Sequence, residues 1–209
     1  TKEALALIEE LEEQDRYSTV VSKEDWHKGV IGIVASRLIE TYYRPTVVFS
    51  LVGETMVGSV RSVKGFNVYE ALDACKEHIV QFGGHKYAAG LTVKKSNYEN
   101  FKAKFEEVVK DRILPEQRIP SVVYDLEVKL EELTPKLYRI IEQLGPFGPQ
   151  NMRPVFRTKK LIDSGFSKAV GIDSSHLRLS IKSSPNPLIG IAFGRADFLL
   201  HIQSKKPFD

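Results

Sequence analysis

The chain has 209 residues, of which 42% are hydrophobic, a composition typical of a globular protein with one or two buried cores. No apolar run approaches the roughly 20 residues of a membrane span, and no signal-peptide pattern opens the chain, so we expect a cytoplasmic protein with no membrane partner. The single cysteine, Cys75, excludes a disulfide framework and a CxxC metal site, as expected in a reducing compartment. It shares an apolar helical face with Leu72 and Ile79, which predicts a buried, unreactive thiol.

The formal net charge of +3 is divided unevenly along the chain. Residues 1 to 119 hold 17 Lys+Arg against 18 Asp+Glu, whereas residues 120 to 209 hold 13 against 9, a balance of +4. A basic excess of this size suits a polyanionic partner but also many ordinary surfaces, so by itself it decides little.

Helical and strand patterns alternate before Pro120, which predicts an α/β domain over residues 15 to 119. In ILPEQRIPS two prolines flank charged residues and indicate the boundary. A helical pattern at residues 3 to 14 opens without a cap, so residues 1 to 14 are interpreted as the end of an interdomain linker helix. The elements predicted next are a strand at 17 to 22, a helix at 29 to 42, strands at 45 to 50 and 55 to 62, a helix at 67 to 80, a strand at 91 to 95, and a helix with Tyr98, Phe101, Phe105, Val108 and Val109 on one side.

Residues 120 to 209 are predicted to form a small all-β domain with one helix, either an antiparallel barrel or a sandwich. VVYDLEVKL alternates as a strand does, and TPKLYRIIEQLG is a short helix that ends at Gly145. Short strands follow at PVFRTKKLIDSGF, HLRLSIKS and PLIGIAFG. Four aromatic residues in these apolar patterns are predicted to fill the barrel interior: Phe147, Phe156, Phe166 and Phe193.

The stretch QFGGHKYAAGLTV, residues 81 to 93, surrounds His85 with small residues. In a loop, glycines allow positive φ and close approach of a ligand, and successive exposed N–H groups form an anion-binding concavity. His85 would then donate a hydrogen bond to a phosphate oxygen. The alternative is a tight turn whose small residues pack against a helix, with His85 at the surface. Composition leaves both open, because the GxGxxG and GxxxxGK fingerprints are absent.

Two further segments favour a phosphate site. GSVRSVKG places Arg61 between Ser59 and Ser62 at the end of a strand, where a guanidinium fork and two hydroxyls suit a phosphate. An ordinary surface arginine is the alternative. DWHKGVIGIVASRL puts His27 just before a helix N-terminus, which favours an anion, although His27 could instead cap the helix.

Together these segments resemble a known family. WHKGVIGIVASRL, the RP pair at Arg44 and Pro45, GSVRS and FGGHKYAAGLTV look like the DHHA1 domain of the RecJ family of single-strand-specific 5′ to 3′ DNA exonucleases, in the DHH/DHHA1 phosphoesterase superfamily. LGPFGPQNMRPVF is similar to the segment that opens the OB-fold barrel of that family, and HLRLSI and LIGIAFGRADF fall where its later strands lie. The resemblance implies a DHHA1 domain at residues 15 to 119 and a RecJ-type OB-fold domain at residues 120 to 209.

The resemblance also implies roles for the residues that match the family's motifs. The arginine of the GS.RS segment would bind phosphate at or near a 5′ end, and the GGH motif would hold the DNA backbone near the scissile bond. His27 matches the family's histidine ahead of GV.GIVA and is counted with the phosphate- or DNA-binding positions. The phosphate- or DNA-binding positions are then Arg61, Ser59, Ser62, His27, Gly83 and Gly84, and the catalytic position is His85. The OB-fold domain would hold single-stranded DNA through basic and aromatic side chains, and the basic candidates are Arg153, Arg157, Lys159, Lys160 and Arg178.

The sequence departs from the family in the part that would carry the metal. No DHH motif occurs, and the five histidines are scattered among different elements, so no metal ligands are predicted here. The family's hydrolysis is a two-metal reaction, so Mn or Mg is expected for the full-length enzyme and none for this fragment. The chain stops at IQSKKPFD, where the family continues through final barrel strands, so we expect a C-terminally truncated OB-fold domain.

Two functional interpretations remain. The first is the nucleic-acid-binding C-terminal portion of a RecJ-like exonuclease of DNA repair and recombination, inactive alone, with single-stranded DNA as substrate and single-strand-binding protein or a helicase as further partners. The second is a self-sufficient nucleic-acid or nucleotide binding module of the DHHA1 type without nuclease activity. An upstream extension carrying a DHH motif would decide for the first, and a reading frame that begins near Thr1 would decide against it.

Overall fold

A computed structural model describes all 209 residues of the chain. They form two compact units, Thr1–Ser121 and Val122–Asp209. None of the helices combines the length and the apolar character needed to cross a membrane. The helices of the first unit are α1 (Lys2–Glu10), α2 (Ile31–Tyr42), α3 (Val68–Asp73) and α4 (Tyr98–Arg112). Its strands are β1 (Thr19–Lys23), β2 (Thr46–Val52), β3 (Thr55–Arg61), β4 (Gln81–His85) and β5 (Ala88–Lys94).

These five strands form one mixed sheet in the order β1-β2-β3-β5-β4, which confirms the predicted α/β domain. β1 and β2 are parallel and are connected through α2, whereas the other neighbours pair antiparallel. Strand β5 therefore lies between β3 and β4, although β4 precedes it in the chain. Because β4 is the edge strand, one row of its backbone groups has no partner strand.

Helices pack on both faces of the sheet. On one face α3 and α4 bury the larger core, where Phe49 meets Phe101 edge to face at 5.6 Å between ring centroids and Phe105 stacks on Phe101. On the other face α1 and α2 form a smaller core around Ile8 and Leu38. That smaller core takes no residue from β5 or β4, so α1 and α2 leave this face of the two strands open.

Two ionisable side chains are removed from water at the larger core: Cys75 is buried in it, and Tyr98 is partly buried against it. Cys75 is fully buried, which confirms the predicted structural thiol. Burial raises the pKa of this thiol to about 12, and burial also raises the pKa of the Tyr98 phenol to about 12. Both groups therefore stay protonated at neutral pH, and neither is an activated nucleophile.

Arg44 is a buried charge that holds the segment after α1 against the sheet. Arg44 is only 4% exposed. Nε donates to the Thr19 hydroxyl at 2.7 Å, and the two Nη atoms donate to the carbonyls of Gln14, Arg16 and Glu13 at 2.7 to 2.9 Å. These four hydrogen bonds fix residues 13 to 16 in one conformation.

Helix α4 holds the connection between α1 and β1 through one acidic and one basic side chain. The Glu106 carboxylate accepts from the backbone N–H groups of Tyr17 and Ser18 at 2.9 and 2.8 Å. Lys102 pairs with Glu13 at 2.8 Å, and both side chains are largely buried. The connection between α1 and β1 is therefore rigid rather than a free joint.

Replacing Arg44 by methionine should destabilise the first unit by about 3 kcal/mol, because the side-chain donors to three backbone carbonyls are lost. Trp26, the only tryptophan, lies in this unit, so urea unfolding followed by tryptophan fluorescence reports the change. Arg37→Met is the matched control, since Arg37 is exposed and pairs only with Glu40, and it should cost about 0.5 kcal/mol or less. If both variants lost the same free energy of unfolding, this role of Arg44 would be contradicted.

The second unit is built on short strands. These are β6 (Leu126–Glu127), β7 (Phe156–Arg157), β8 (Lys168–Val170), β9 (His176–Ile181) and β10 (Leu188–Ala192). Two helices accompany them, α5 (Pro135–Glu142) and α6 (Leu199–Gln203). β10, β9 and β8 form an antiparallel sheet in that order, and β6 pairs with β7 in parallel. The predicted small β domain is confirmed.

Details of the second unit differ from the sequence prediction. The strand predicted at PVFRTKKLIDSGF keeps only β7 and two isolated bridges, because Lys160 and Gly165 adopt positive φ angles of 56° and 95° that interrupt an extended run. One helix was predicted and two are present, since the short helix α6 carries no side-chain cap that would signal it.

The prediction that four phenylalanines fill the barrel interior was wrong for two of them. Phe166 and Phe193 are 72% and 76% exposed, whereas Phe147 and Phe156 are partly buried. Alternation shows that a strand has two faces but not which face is inward, and both faces of β10 carry apolar residues. The exposed pair is therefore available to a ligand rather than to the core.

Candidate nucleic-acid interface

The GSVRS and GGH motifs lie on strands that share one neighbour. Residues 81 to 85, considered above as a loop or a turn, form edge strand β4, and only Lys86 and Tyr87 make the turn to β5. Strand β5 pairs with β3 on its other side. The register sets out two rows across the three strands, Ser59 with Gly90 and Gly83, and Arg61 with Ala88 and His85.

Gly84 explains why a glycine-rich segment forms this strand. A Cβ on Gly84 would lie 2.3 Å from the Ala88 carbonyl oxygen and 2.5 Å from the Ala89 Cα, so only glycine allows the two strands to approach this closely. Its φ of +151° also disfavours a side chain. The small-residue stretch therefore serves close strand packing on the core face, where Ala89 is buried.

On the opposite face of β5 and β4, three neighbouring positions carry no side chain larger than a methyl group. Paired residues share a face, so Gly83, Ala88 and Gly90 point away from the buried Val60 and Ala89. A Cβ on Gly83 would meet no atom within 4 Å, and one on Gly90 only the Gly58 carbonyl oxygen at 3.9 Å. We call Gly83, Ala88 and Gly90 the bare strip. Because it carries nothing larger than the Ala88 methyl group, this strip lets a ligand lie close to the backbone of the sheet.

Arg61 lies at the end of β3 beside this strip. Its Nη1 donates to the Ser59 hydroxyl at 3.0 Å and to the Val60 carbonyl at 2.8 Å, and no carboxylate pairs with it. The rest of the guanidinium fork is free for an anion. Ser62 is used differently, because its hydroxyl donates to the Phe66 carbonyl at 2.8 Å and so holds the turn after β3.

The two predicted phosphate-site histidines are exposed and share one hydrogen-bond pattern. His27 Nδ1 accepts from the Gly29 N–H at 3.0 Å, and His85 Nδ1 accepts from the Tyr87 N–H at 3.3 Å. In a neutral imidazole whose Nδ1 accepts, the proton is on Nε2. Each ring therefore presents Nε2–H outward as a donor. His27 is not the cap of α2, which has Val30 at that position.

Adding a methyl group at the two adjacent glycines of β4 should have very unequal effects on stability. Gly84→Ala should destabilise the first unit by about 3 kcal/mol, because the new Cβ clashes with backbone that cannot move aside cheaply. Gly83→Ala should change stability by no more than about 0.5 kcal/mol, because the position is open. Urea unfolding monitored by Trp26 fluorescence measures both. Similar costs at the two positions would contradict the strand placement.

The second unit offers an open sheet face of different character. Register pairs Lys168 with Arg178, and Arg178 with Ile191, so these side chains share one face of the sheet formed by β8, β9 and β10. Ile189 and Ile191 on this face are 48% and 47% exposed, and Phe193 continues the alternation just beyond β10. The Phe193 ring meets the His176 ring edge to face at 5.3 Å. Basic and apolar side chains therefore lie next to one another.

Phe166 is exposed on a turn that is firmly held. Asp163 is buried and accepts from the Gly165 N–H at 2.8 Å and from the Ser167 hydroxyl. The Ser167 hydroxyl oxygen in turn accepts from the Ser180 N–H of β9 at 2.9 Å. A rigid support for an exposed aromatic ring reduces the entropy lost when a ligand stacks on it.

The five basic residues predicted to hold DNA fall into two groups. Three pair with a carboxylate of their own unit, and the Arg153 guanidinium also lies 4.5 Å from the centre of the Phe147 ring. The pairs are Arg153 with Glu142, Arg157 with Asp209, and Lys159 with Glu127. The side chains of Lys160 and Arg178 have no such partner. These two are the better placed to meet phosphate, and the paired three contribute less free charge than the sequence suggests.

No group of three or more His, Cys, Asp or Glu side chains in the structure could hold a metal ion. The donor atoms of this chain therefore do not fit the two-metal centre that the sequence resemblance implies for a full-length enzyme. The candidate site provides hydrogen-bond donors and positive charge instead.

Comparison with known proteins agrees with this architecture. Residues 15–111 match the DHHA1 domain, and residues 124–209 match the RecJ OB domain. The single-stranded-DNA-specific exonuclease RecJ of Bacillus subtilis is 31% identical over 199 residues, which cover 94% of this chain and 25% of that protein. The crystal structure of RecJ from Thermus thermophilus in complex with Mn²⁺ matches with a TM-score of 0.71 at 26% identity, covering 91% of this chain and 28% of that one. The corresponding Mg²⁺ complex gives 0.70 at 27% identity, with 91% and 29% coverage.

The fold and the motifs define a region that consists of a DHHA1 domain followed by an OB domain. That pairing is found in RecJ, and the chain belongs to the RecJ family as a C-terminal part of it. The chain spans about a quarter of the length of the B. subtilis relative.

Sequence reasoning found the motif residues and missed several of their neighbours. Gly32 was not singled out, although it lies against Arg61. Phe166 and Phe193 were assigned to the interior, and Lys168 was not considered. The alternation of PLIGIAFG, with Lys168 and Arg178 on adjacent strands, was the available signal for a mixed basic and apolar face.

Proposed function

We propose that this chain is the nucleic-acid-binding C-terminal portion of a RecJ-like 5′ to 3′ exonuclease that acts on single-stranded DNA. The observation that carries the proposal is the shared register of β3, β5 and β4, which puts Arg61 and His85 in one row beside the bare strip. The row spans two strand spacings, roughly 10 Å. A strand of DNA can lie along backbone there while charged and polar donors contact its phosphates.

Arg61 is suited to the terminal phosphate of such a strand. A terminal phosphate carries about −1.5 to −2 charge at neutral pH, more than an internal phosphodiester does. The free part of the Arg61 fork meets no competing carboxylate, and Ser59 and Val60 fix the orientation of Nη1. His27 presents its Nε2–H from the loop before α2 and is proposed to assist there.

His85 is proposed to act at the phosphodiester next in line, as the catalytic residue of this chain. Its Nε2–H is an outward donor, and the hydrogen bond from Tyr87 fixes the ring. A fixed donor directed at a phosphoryl oxygen stabilises the charge that develops there during hydrolysis. Gly83 and Gly84 leave the space in which the backbone of the DNA approaches the ring.

The metal chemistry of the full-length enzyme is proposed to come from another domain. The Thermus RecJ structures contain Mn²⁺ or Mg²⁺, and such an ion supplies an activated water and stabilises phosphoryl charge. Since this chain has no suitable cluster of ligands, we propose that the ligands belong to a DHH domain and that the fragment alone is inactive. The full-length enzyme would work in the cytoplasm in DNA repair and recombination, with single-strand-binding protein or a helicase as partners.

Arg61→Ala should remove a preference for phosphorylated 5′ ends. Fluorescence anisotropy of the chain with 5′-phosphorylated and 5′-hydroxyl single-stranded oligonucleotides measures the two affinities. We expect the ratio of the affinity for the 5′-phosphorylated oligonucleotide to that for the 5′-hydroxyl oligonucleotide to fall by about tenfold, as for the loss of a charge-assisted pair. Arg37→Ala, an exposed arginine of α2, is the control and should leave the ratio unchanged. Equal weakening for both ends would contradict an end-binding role, and binding of mononucleotides in preference to oligonucleotides would favour the alternative nucleotide-binding module.

The open sheet face of the second unit, with Phe193 beside it, and the exposed ring of Phe166 on its turn are proposed to stack bases. Phe166→Ala and Phe193→Ala should each weaken binding of a single-stranded oligonucleotide by about 5- to 50-fold, since a base stacked on an aromatic ring contributes about 1–3 kcal/mol. The dependence of affinity on salt should not change, because no charge is removed. Ile172→Ala is the control, since Ile172 is fully exposed outside this face. Unchanged affinity in both Phe variants would rule out this surface.

A further inference from the structure

Gly32, the second residue of α2, faces the guanidinium of Arg61. A Cβ on Gly32 would lie 2.8 Å from Arg61 Nη2, 3.5 Å from Arg61 Cζ and 3.1 Å from the Ser59 hydroxyl oxygen. The first distance is well inside the roughly 3.5 Å at which non-bonded heavy atoms come to rest. The guanidinium therefore occupies space that any side chain at this position would need.

The backbone does not require glycine here. Gly32 lies in a regular helix, unlike Gly84, whose φ is +151°. Glycine is a poor helix former, because it loses more backbone entropy on folding than alanine does. The nearest atoms to the missing side chain belong to Arg61 and Ser59, both at the candidate site. This points to a role for Gly32 outside folding.

We propose that Gly32 is a positioning residue for Arg61. The guanidinium lies against α2 in the space left by the missing Cβ, while Nη1 donates to Ser59 and to the Val60 carbonyl. This placement sets the direction in which the free N–H groups of Arg61 meet a phosphate. The inference rests on the proposed function of Arg61 and adds that selectivity for a phosphorylated 5′ end depends on glycine at this position of α2.

Gly32→Ala in the whole chain tests the proposal. The clash is with the movable end of an arginine side chain, and alanine favours the helix, so the thermal midpoint should equal or exceed that of the unaltered protein. The ratio of affinities for 5′-phosphorylated and 5′-hydroxyl oligonucleotides should fall by about three- to tenfold, as expected when a charge-assisted hydrogen bond is displaced. Thr41→Ala, at the far end of the same helix, also improves helix propensity and should leave the ratio unchanged.

A double-mutant comparison separates this inference from the proposed function. If Gly32 acts through Arg61, adding Gly32→Ala to Arg61→Ala lowers the ratio no further. The Nε–Hε NMR signal of Arg61, assigned by its absence in Arg61→Ala, should shift in Gly32→Ala even without DNA. If Gly32→Ala keeps the preference for the phosphorylated end and Arg61→Ala loses it, the proposed role of Gly32 is overturned and that of Arg61 stands. An unaltered chain with no preference for the phosphorylated end would overturn both proposals.

Discussion

The pairing of β5 between β3 and β4 is the constraint on which the candidate site depends. A slip of one residue in either pairing would turn Arg61 or His85 toward the core, because side chains alternate between the two faces of a strand. The register is held from the core face, where Val60 and Ala89 are buried and Gly84 admits no Cβ. The contacts that stabilise the sheet are therefore the ones that align the site on its other side.

The two units offer a ligand different kinds of surface. The first offers bare backbone bordered by a few fixed donors, a surface suited to the sugar-phosphate chain. The second offers exposed apolar side chains beside Arg178 and Lys168, a surface suited to bases. Three of the five basic candidates of the second unit are engaged in ion pairs within it. These pairs leave the balance of +4 over residues 120 to 209 unchanged, because each takes up one charge of either sign, but they hold three basic side chains away from a phosphate.

Local patterns predicted most elements and the motif residues, but not the surfaces that they build. Arg61 and His85 lie far apart in the chain, and their alignment depends on the strand order β3-β5-β4, which no local pattern encodes. The GGH segment did not resemble a strand because glycine has low strand propensity, yet Gly84 is required by the close approach of β4 to β5. Phe166 and Phe193 were placed inside because alternation does not reveal which face of a strand is covered.

The hydrogen bonds of Arg44 have a mechanical consequence. Arg44 lies two residues before Thr46, the first residue of β2, and Thr46 is the register partner of Arg61. The same side chain fixes the carbonyls that follow α1. Helix α1, strand β2 and the end of β3 are thus joined without a flexible element between them. A force applied to α1 would be transmitted to the guanidinium of Arg61 as a rigid displacement instead of being absorbed in the connecting segment.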